Sequence, residues 1–158
     1  MDGSEIILDK TDLHILRLMQ HHARISNADL ARELNMAPSG VLERVKKLEQ
    51  KGVILQYTTR LNPAALQQKL LAFIFMKATD SPGSNATATE LAKIPEVQEV
   101  HHIAGEDCYL IKVRTHDAAS LMHLMRNSFS KIPNILSTRT TIVLETAKEE
   151  QQLVIPPN

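Results

Sequence analysis

Between residues 9 and 54, apolar positions recur at helical intervals in three short blocks separated by polar breaks. In the first, Leu13, Leu16 and Met19 fall three apart and Ile15 widens the stripe, which predicts one amphipathic helix running to about 21–22. Asp9 stands where an N-cap belongs, and Asp12, three residues on, completes a capping box. Ser26 is the next cap, and Leu30, Ala31 and Leu34 form the inner face of a second helix. Asn35 suits a left-handed helix end, and Pro38 suits the first turn of a third helix. There Val41, Val45 and Leu48 share one face. At 100° per residue Ser39, Glu43, Lys46 and Gln50 lie opposite, flanked by Gly40 and Lys47, with Arg44 nearer the buried edge. Gly52 stops the helix, and 53–60, VILQYTTR, has strand composition. Three helices with a tight turn and a following strand describe a helix-turn-helix with a wing.

The pattern changes after Asn62-Pro63 and a short connector, 64–69, that reads as helical. Residues 70–77, LLAFIFMK, are apolar on both faces of a strand. A DSPG turn at 80–83, a helix at 85–93 and two strands at 97–104 and 108–114 around Gly105-Glu106-Asp107 follow. Asp117 caps a helix carrying Leu121, Leu124, Met125 and Phe129. A Thr-rich strand spans 135–145, and 153–155 offers one more short strand. The order β-α-β-β-α-β predicts a ferredoxin-like domain, one antiparallel sheet with both helices on one face. Because Phe73 and Phe75 alternate with Ala72, Ile74 and Met76, the other face also needs apolar cover. A second copy of the sheet supplies it, so a homodimer is expected. The chain is therefore read as α+β, with a winged helix-turn-helix at 1–60, a linker at 61–69 and an effector and dimerisation domain at 70–158.

Charge changes this picture little: 18 Lys+Arg balance 18 Asp+Glu, so any basic surface must be local. It is local on the third helix, where Arg44, Lys46, Lys47 and Lys51 cluster; Glu145, Glu149 and Glu150 lie far along the chain. A lone cysteine, Cys108, excludes an intrachain disulfide and fits a reducing cytosol; a small buried hydrophobe is its commoner fate. No apolar run reaches the roughly 18–20 residues of a membrane span, and residues 1–10 carry Asp2, Glu5 and Asp9 instead of an apolar leader.

On this reading the third helix enters the major groove of double-stranded DNA. Ser39, Gly40 and Glu43 face base edges, and Arg44, Lys46 and Lys47 hold phosphates. Ser26, Asn27 and Pro38, at the two helix starts, complete the DNA-facing set. Arg44 suits a structural ion pair almost as well. In the second half, Gly105 permits close backbone approach, and Glu106 or Asp107 offers a carboxylate to an ammonium group. His102, Ala104, Cys108, Tyr109, Thr138 and Thr140 complete a candidate effector set, although from its residues alone the loop reads more readily as a plain hairpin turn. Neighbouring His101 and His102 point to opposite faces of a strand and cannot easily share a metal ion. No catalytic triad spacing, phosphate-cradling glycine loop or metal motif is visible, so no enzyme, metal site or cofactor is expected.

Taken together, these motifs resemble the Lrp/AsnC family of bacterial and archaeal regulators, also called feast/famine regulators. Leu8, Asp9, Asp12, Ile15, Leu16, Val41, Arg44, Val45, Leu48, Glu49, Gly52, Val53 and Ile54 carry the pattern of its N-terminal domain. Gly105-Glu106, Tyr109-Leu110 and the strand STRTTIVLE resemble its effector (RAM-type) domain. The resemblance implies a cytoplasmic, nucleoid-associated transcription factor on a pseudo-palindromic operator. It also implies dimers that assemble further into octamers, and an amino acid or related metabolite bound between effector domains. Three departures stand out. Ala37 replaces the serine cap common before Pro38. Glu43 sits in mid-face, where it can accept from cytosine N4. Cys108 replaces the aspartate usual before the tyrosine.

Overall fold

The computed structural model describes residues 6–81 and 83–157. Pro82, within the expected 80–83 turn, and residues 1–5 of the N-terminal stretch 1–10 read for a leader lie outside them. The chain divides into two compact units, Met1–Arg60 with Glu149–Asn158, and Leu61–Lys148.

In the first unit α1 is Lys10–His21, α2 Asn27–Leu34 and α3 Pro38–Gln50. The caps are those the local sequence dictates. Asp9 accepts from the Asp12 amide while Asp12 accepts from the Asp9 amide, a full capping box. The Ser26 hydroxyl accepts from the Asp29 amide, and Asn35 ends α2 at φ 51°, the left-handed conformation asparagine tolerates. Ala37 offers α3 no side-chain cap hydrogen bond; Pro38 at the first turn reduces the number of amides needing one. Gly52 at φ 67° terminates α3, and the Val53 amide closes back on the Leu48 carbonyl at 2.9 Å.

Ile15, Leu30, Ala31, Val41, Val45 and Leu48 form the first core. Ile15 is its fully buried centre on α1, not a fringe of the stripe, and Leu18 rather than Leu13 packs beside it. The expected strand at 53–60 is not formed. Val53 and Ile54 reach the core, but Leu55 is 86% exposed and among the described residues of the unit no strand supplies a ladder. Tyr57 instead donates its hydroxyl to Glu49 at 2.7 Å.

The second unit begins with turns, not a helical connector. The Pro63 carbonyl takes the Leu66 and Gln68 amides, and Gln67 lies at φ 60°. Then follow β1 Leu70–Ala78, α4 Ala86–Ala92, β2 Val97–His102, β3 Tyr109–Thr115, α5 Ala118–Asn127, a 3-10 turn at Phe129–Lys131, and β4 Ile135–Ile142. The sheet order β2-β3-β1-β4, all antiparallel, is the ferredoxin-like arrangement. Ala72, Ile74 and Met76 pair with Val113, Ile111 and Tyr109 and face the helices. There Leu91, Leu121, Leu124 and Phe129 close the core. Leu71, Phe73, Phe75, Leu110 and Arg139 lie on the opposite, open face, Arg139 stacked over the Phe75 ring at 4.4 Å. β4 stops at Ile142, short of the expected 145, although the Val143 amide still reaches Leu71. The expected strand at 153–155 has no regular secondary structure and bonds to α1 side chains instead of joining a sheet.

Candidate nucleic-acid interface and effector loop

Helix α3 turns Val41, Val45 and Leu48 inward and leaves Ser39, Glu43, Lys46 and Gln50 exposed. Pro38 fixes the start of this surface. Gly40 keeps it low, and an added Cβ there would meet Met36 only at an ordinary 3.7 Å. Lys47 pairs with Glu43 across one helical turn at 2.7 Å, and that hydrogen bond holds the Glu43 carboxyl below its usual range. Lys46 has no such partner among the described residues and is open to solvent. Ser26 caps α2 and donates to Asp29 at 2.6 Å; Asn27, the first residue of that helix, is exposed.

Arg44 takes the other of its two roles. Its guanidinium pairs with Asp9 at 2.7 Å and Asp12 at 2.8 Å, tying the middle of α3 to the start of α1. The Asp12 amide, then Arg44, holds the Asp9 carboxyl low, while the carboxylates raise Arg44 further. A cation satisfied by two carboxylates is a brace between helices, and a phosphate would have to compete for it. Lys46 and Lys47 carry the exposed positive charge that remains on this stretch of α3.

The effector set divides between two faces of the sheet. Glu106 pairs with Lys77 at 3.2 Å and Asp107 with Arg139 at 2.8 Å, on the open face. The expected free carboxylates already have cations, and Asp107 is largely covered. Thr138 and Thr140, in register with Met76 and Ile74, belong to the helix side. There the Thr140 hydroxyl lies 3.7 Å from the Met125 sulfur. His102 stacks on Tyr109, ring centroids 5.0 Å apart, whereas His101 pairs with Glu99 on the other face. Their opposed directions are those adjacent strand residues must take. Ala104 and Gly105 sit exposed in the loop, and Cys108 is half-buried against the Ala78 backbone.

One residue the sequence did not single out organises this end of the unit. Asp80 accepts from the Tyr109 hydroxyl at 2.6 Å, the Thr87 hydroxyl at 2.8 Å and the Asn134 amide at 2.9 Å. These donors, Tyr109 foremost, hold its carboxyl below the usual range. Burial, then the Asp80 carboxylate, pushes the Tyr109 phenol up to about 12. Burial and Glu49 push Tyr57 to about 12 as well. These are the only two tyrosines, and the chain has no Trp. A native-state absorbance titration is therefore expected to show almost no phenolate at pH 10, where the denatured chain is half-ionised. The raised values favour the neutral phenols, so this stabilisation is complete below pH 10 and fades as pH rises through about 12. Half-titration of the native protein at pH 10 would contradict both hydrogen bonds.

Among the described residues no helix is long and apolar enough to cross a membrane, and no three His, Cys, Asp or Glu side chains gather to hold a metal. A helix-turn-helix unit joined to a ferredoxin-like unit with a charged hairpin loop defines a class: DNA-binding regulators that carry a separate ligand-binding domain. Residues 8–54 match the winged helix-turn-helix DNA-binding family and residues 71–153 the Lrp/AsnC ligand binding domain. The chain is 36% identical to the leucine-responsive regulatory protein of Escherichia coli K12 over 152 residues, covering 94% of this chain and 92% of that one. Among solved structures it is similar to a Neisseria meningitidis transcriptional regulator in complex with L-methionine. That match has 28% identity and a TM-score of 0.85, over 94% of this chain and 97% of that one. It is similar also to a feast or famine regulatory protein from Mycobacterium tuberculosis complexed with L-methionine, with 31% identity and a TM-score of 0.86, over 95% and 100%. The chain belongs to the Lrp/AsnC family and is a DNA-binding transcriptional regulator of that type.

Proposed function

We propose that this regulator works as a homodimer on a pseudo-palindromic operator in the cytoplasm, where it is nucleoid-associated, and that an amino acid tunes its assembly. What carries the reading is the outer surface of α3, where Ser39 and Glu43 are exposed and Gly40 partly so, beside Lys46, which has no partner among the described residues. Ser39, Gly40 and Glu43 face base edges, while Lys46 and Lys47 meet phosphates, with Ser26, Asn27 and Pro38 at the adjoining helix starts. Symmetry of two copies sets the operator's symmetry. Further association to an octamer belongs to the same proposal.

The effector reading rests on the pair Asp107–Arg139. A free amino acid is a zwitterion, so its carboxylate can take Arg139 while its ammonium takes Asp107, exchanging one ion pair for two. Glu106 and Lys77 form a second such pair beside it. That the related structures hold L-methionine supports an apolar amino acid as the first candidate. An effector that prefers one assembly shifts the population toward it by its differential affinity alone.

Selection from a random duplex pool, followed by gel-shift titration with each amino acid, tests both halves; recovery of a motif without two-fold symmetry would refute the dimeric reading. Lys46→Ala is expected to weaken binding to every sequence and to lower the slope of log affinity against log salt by about 1. Glu43→Ala is expected to relax sequence preference instead. A uniform rise in affinity for Glu43→Ala, checked over a panel of single-base operator variants, would show that Glu43 only repels phosphate.

A further inference from the structure

We propose that residues 149–157 are a latch that ties α1 to the exit of β4 and thereby holds the reading helices of a dimer ready for two half-sites; this rests on the dimeric reading above. The matched ligand-binding family runs to residue 153, yet from Glu149 onward the chain is part of the DNA-reading unit. Its partners lie along one face. Arg17 and Gln20, three apart on α1, are neighbours on the helix surface. The Gln20 side chain donates to the Leu153 carbonyl at 2.8 Å and accepts from the Leu153 amide at 2.9 Å, copying the two bonds of a β-ladder pair. Gln152 donates to the Gln20 carbonyl at 3.3 Å, and Arg17 donates to the Pro156 carbonyl at 2.8 Å. At the near end Arg60 donates to the Glu149 carbonyl and pairs with Glu150 at 3.8 Å.

The segment is held almost wholly through its backbone. Leu153 is 76% and Val154 97% exposed, so little apolar burial offsets the entropy of ordering it. Contacts of that kind open and close readily, which suits a latch and not a structural prop. When closed, the segment gives the two units a second covalent tie, through 143–148, besides 61–69. Two ties leave fewer relative orientations than one, so the second half-site is engaged at higher effective concentration. Opening the latch lowers that concentration without touching α3.

The test uses the full chain with Gln20→Leu, which removes both side-chain bonds to Leu153, and Leu153→Pro, which removes the donor while leaving α1 intact. Hydrogen exchange at the Leu153 amide, and affinity for the selected duplex against a single half-site duplex, are read at fixed salt. The wild type is expected to protect the Leu153 amide. Both variants are expected to keep half-site affinity and to lose about tenfold on the paired site. An unprotected Leu153 amide in the wild type, or an unchanged ratio in both variants, overturns the latch. So does an equal fall on half-site and paired site, which would make the segment a support for α1. A wild type with no preference for the paired duplex overturns the dimeric reading and the latch with it.

Discussion

Asp80→Ala is expected to lower the melting temperature of the second unit by roughly 10–20 °C, corresponding to about 2–4 kcal/mol. The substitution deletes one half-buried carboxylate but orphans three side-chain donors and the Thr87 backbone amide. Thr87 is 0% exposed and Tyr109 1%, so water cannot replace the acceptor for either hydroxyl without opening the core. Each buried donor left unpaired costs about 1–3 kcal/mol, more than the hydrogen bond contributed when made. The Asn134 amide is less covered and recovers part of its loss from solvent. Asp80→Asn keeps one acceptor oxygen and should lose about half as much. The acid limb separates this network from a merely local defect. The Asp80 carboxyl is held low in the folded state, so its contribution is present above its ordinary value of 3.8 and is lost as pH falls through the lower folded value. The wild type should therefore lose stability more steeply than Asp80→Ala as the pH drops below 3.8. Calorimetric melts of both variants across pH decide the matter; a melt within about 2 °C of wild type would mean that the buried hydroxyls find other acceptors.

Why Asp80 escaped the sequence reading is a matter of distance along the chain. Asp9, Ser26, Asn35 and Gly52 act on backbone within three or four residues, so their roles follow from local geometry and were legible. The alternation of Ala72, Ile74 and Met76 likewise fixes a sheet face before any partner is known. The donors to Asp80 sit 7, 29 and 54 residues away and converge only once the sheet forms. The strand expected at 53–60 failed for the converse reason: VILQYT has the side chains of a strand, but a ladder needs a second backbone, and composition cannot supply one. The candidate effector residues were named as one cluster because they are near in sequence or share a strand. Register then assigned Thr138 and Thr140 to the helix side and left Asp107 with Arg139 on the open face. On β2 a shift between Val97 and Glu99, and on β4 one beside Lys77 and Ala78, reset which residues share a face. Arg139, the cation that meets the loop, carried no local signal beyond its place in a Thr-rich strand.

Phe75→Lys is expected to convert the proposed dimer to a 17.7 kDa protomer at micromolar concentration and to abolish tight operator binding. Phe75 lies mid-strand on the open face, half-buried within its own chain and covered on one side only by the Arg139 guanidinium. With Phe73 along the strand and Leu110 across from it, it stands at the centre of the apolar surface that a second sheet would cover. Lysine there loses the aromatic contact and places an ammonium beside Arg139, where like charges repel most strongly once water is excluded. An uncompensated charge buried in an interface costs about 3–5 kcal/mol, or a roughly 10²- to 10⁴-fold weaker dimer. Phe75→Leu keeps apolar volume and should remain dimeric. The fold itself should survive Phe75→Lys, because the core on the helix side, Ala72, Ile74 and Met76 against Leu91, Leu121 and Leu124, is untouched. Light scattering and circular dichroism on the same sample check both statements. Loss of helical and sheet signal would make the variant a folding defect, and a dimer with intact structure would move the interface to another surface. If the protomer is folded and monomeric, its affinity for a single half-site should match wild type. The deficit on the paired operator then measures how much of the affinity depends on joining two reading helices.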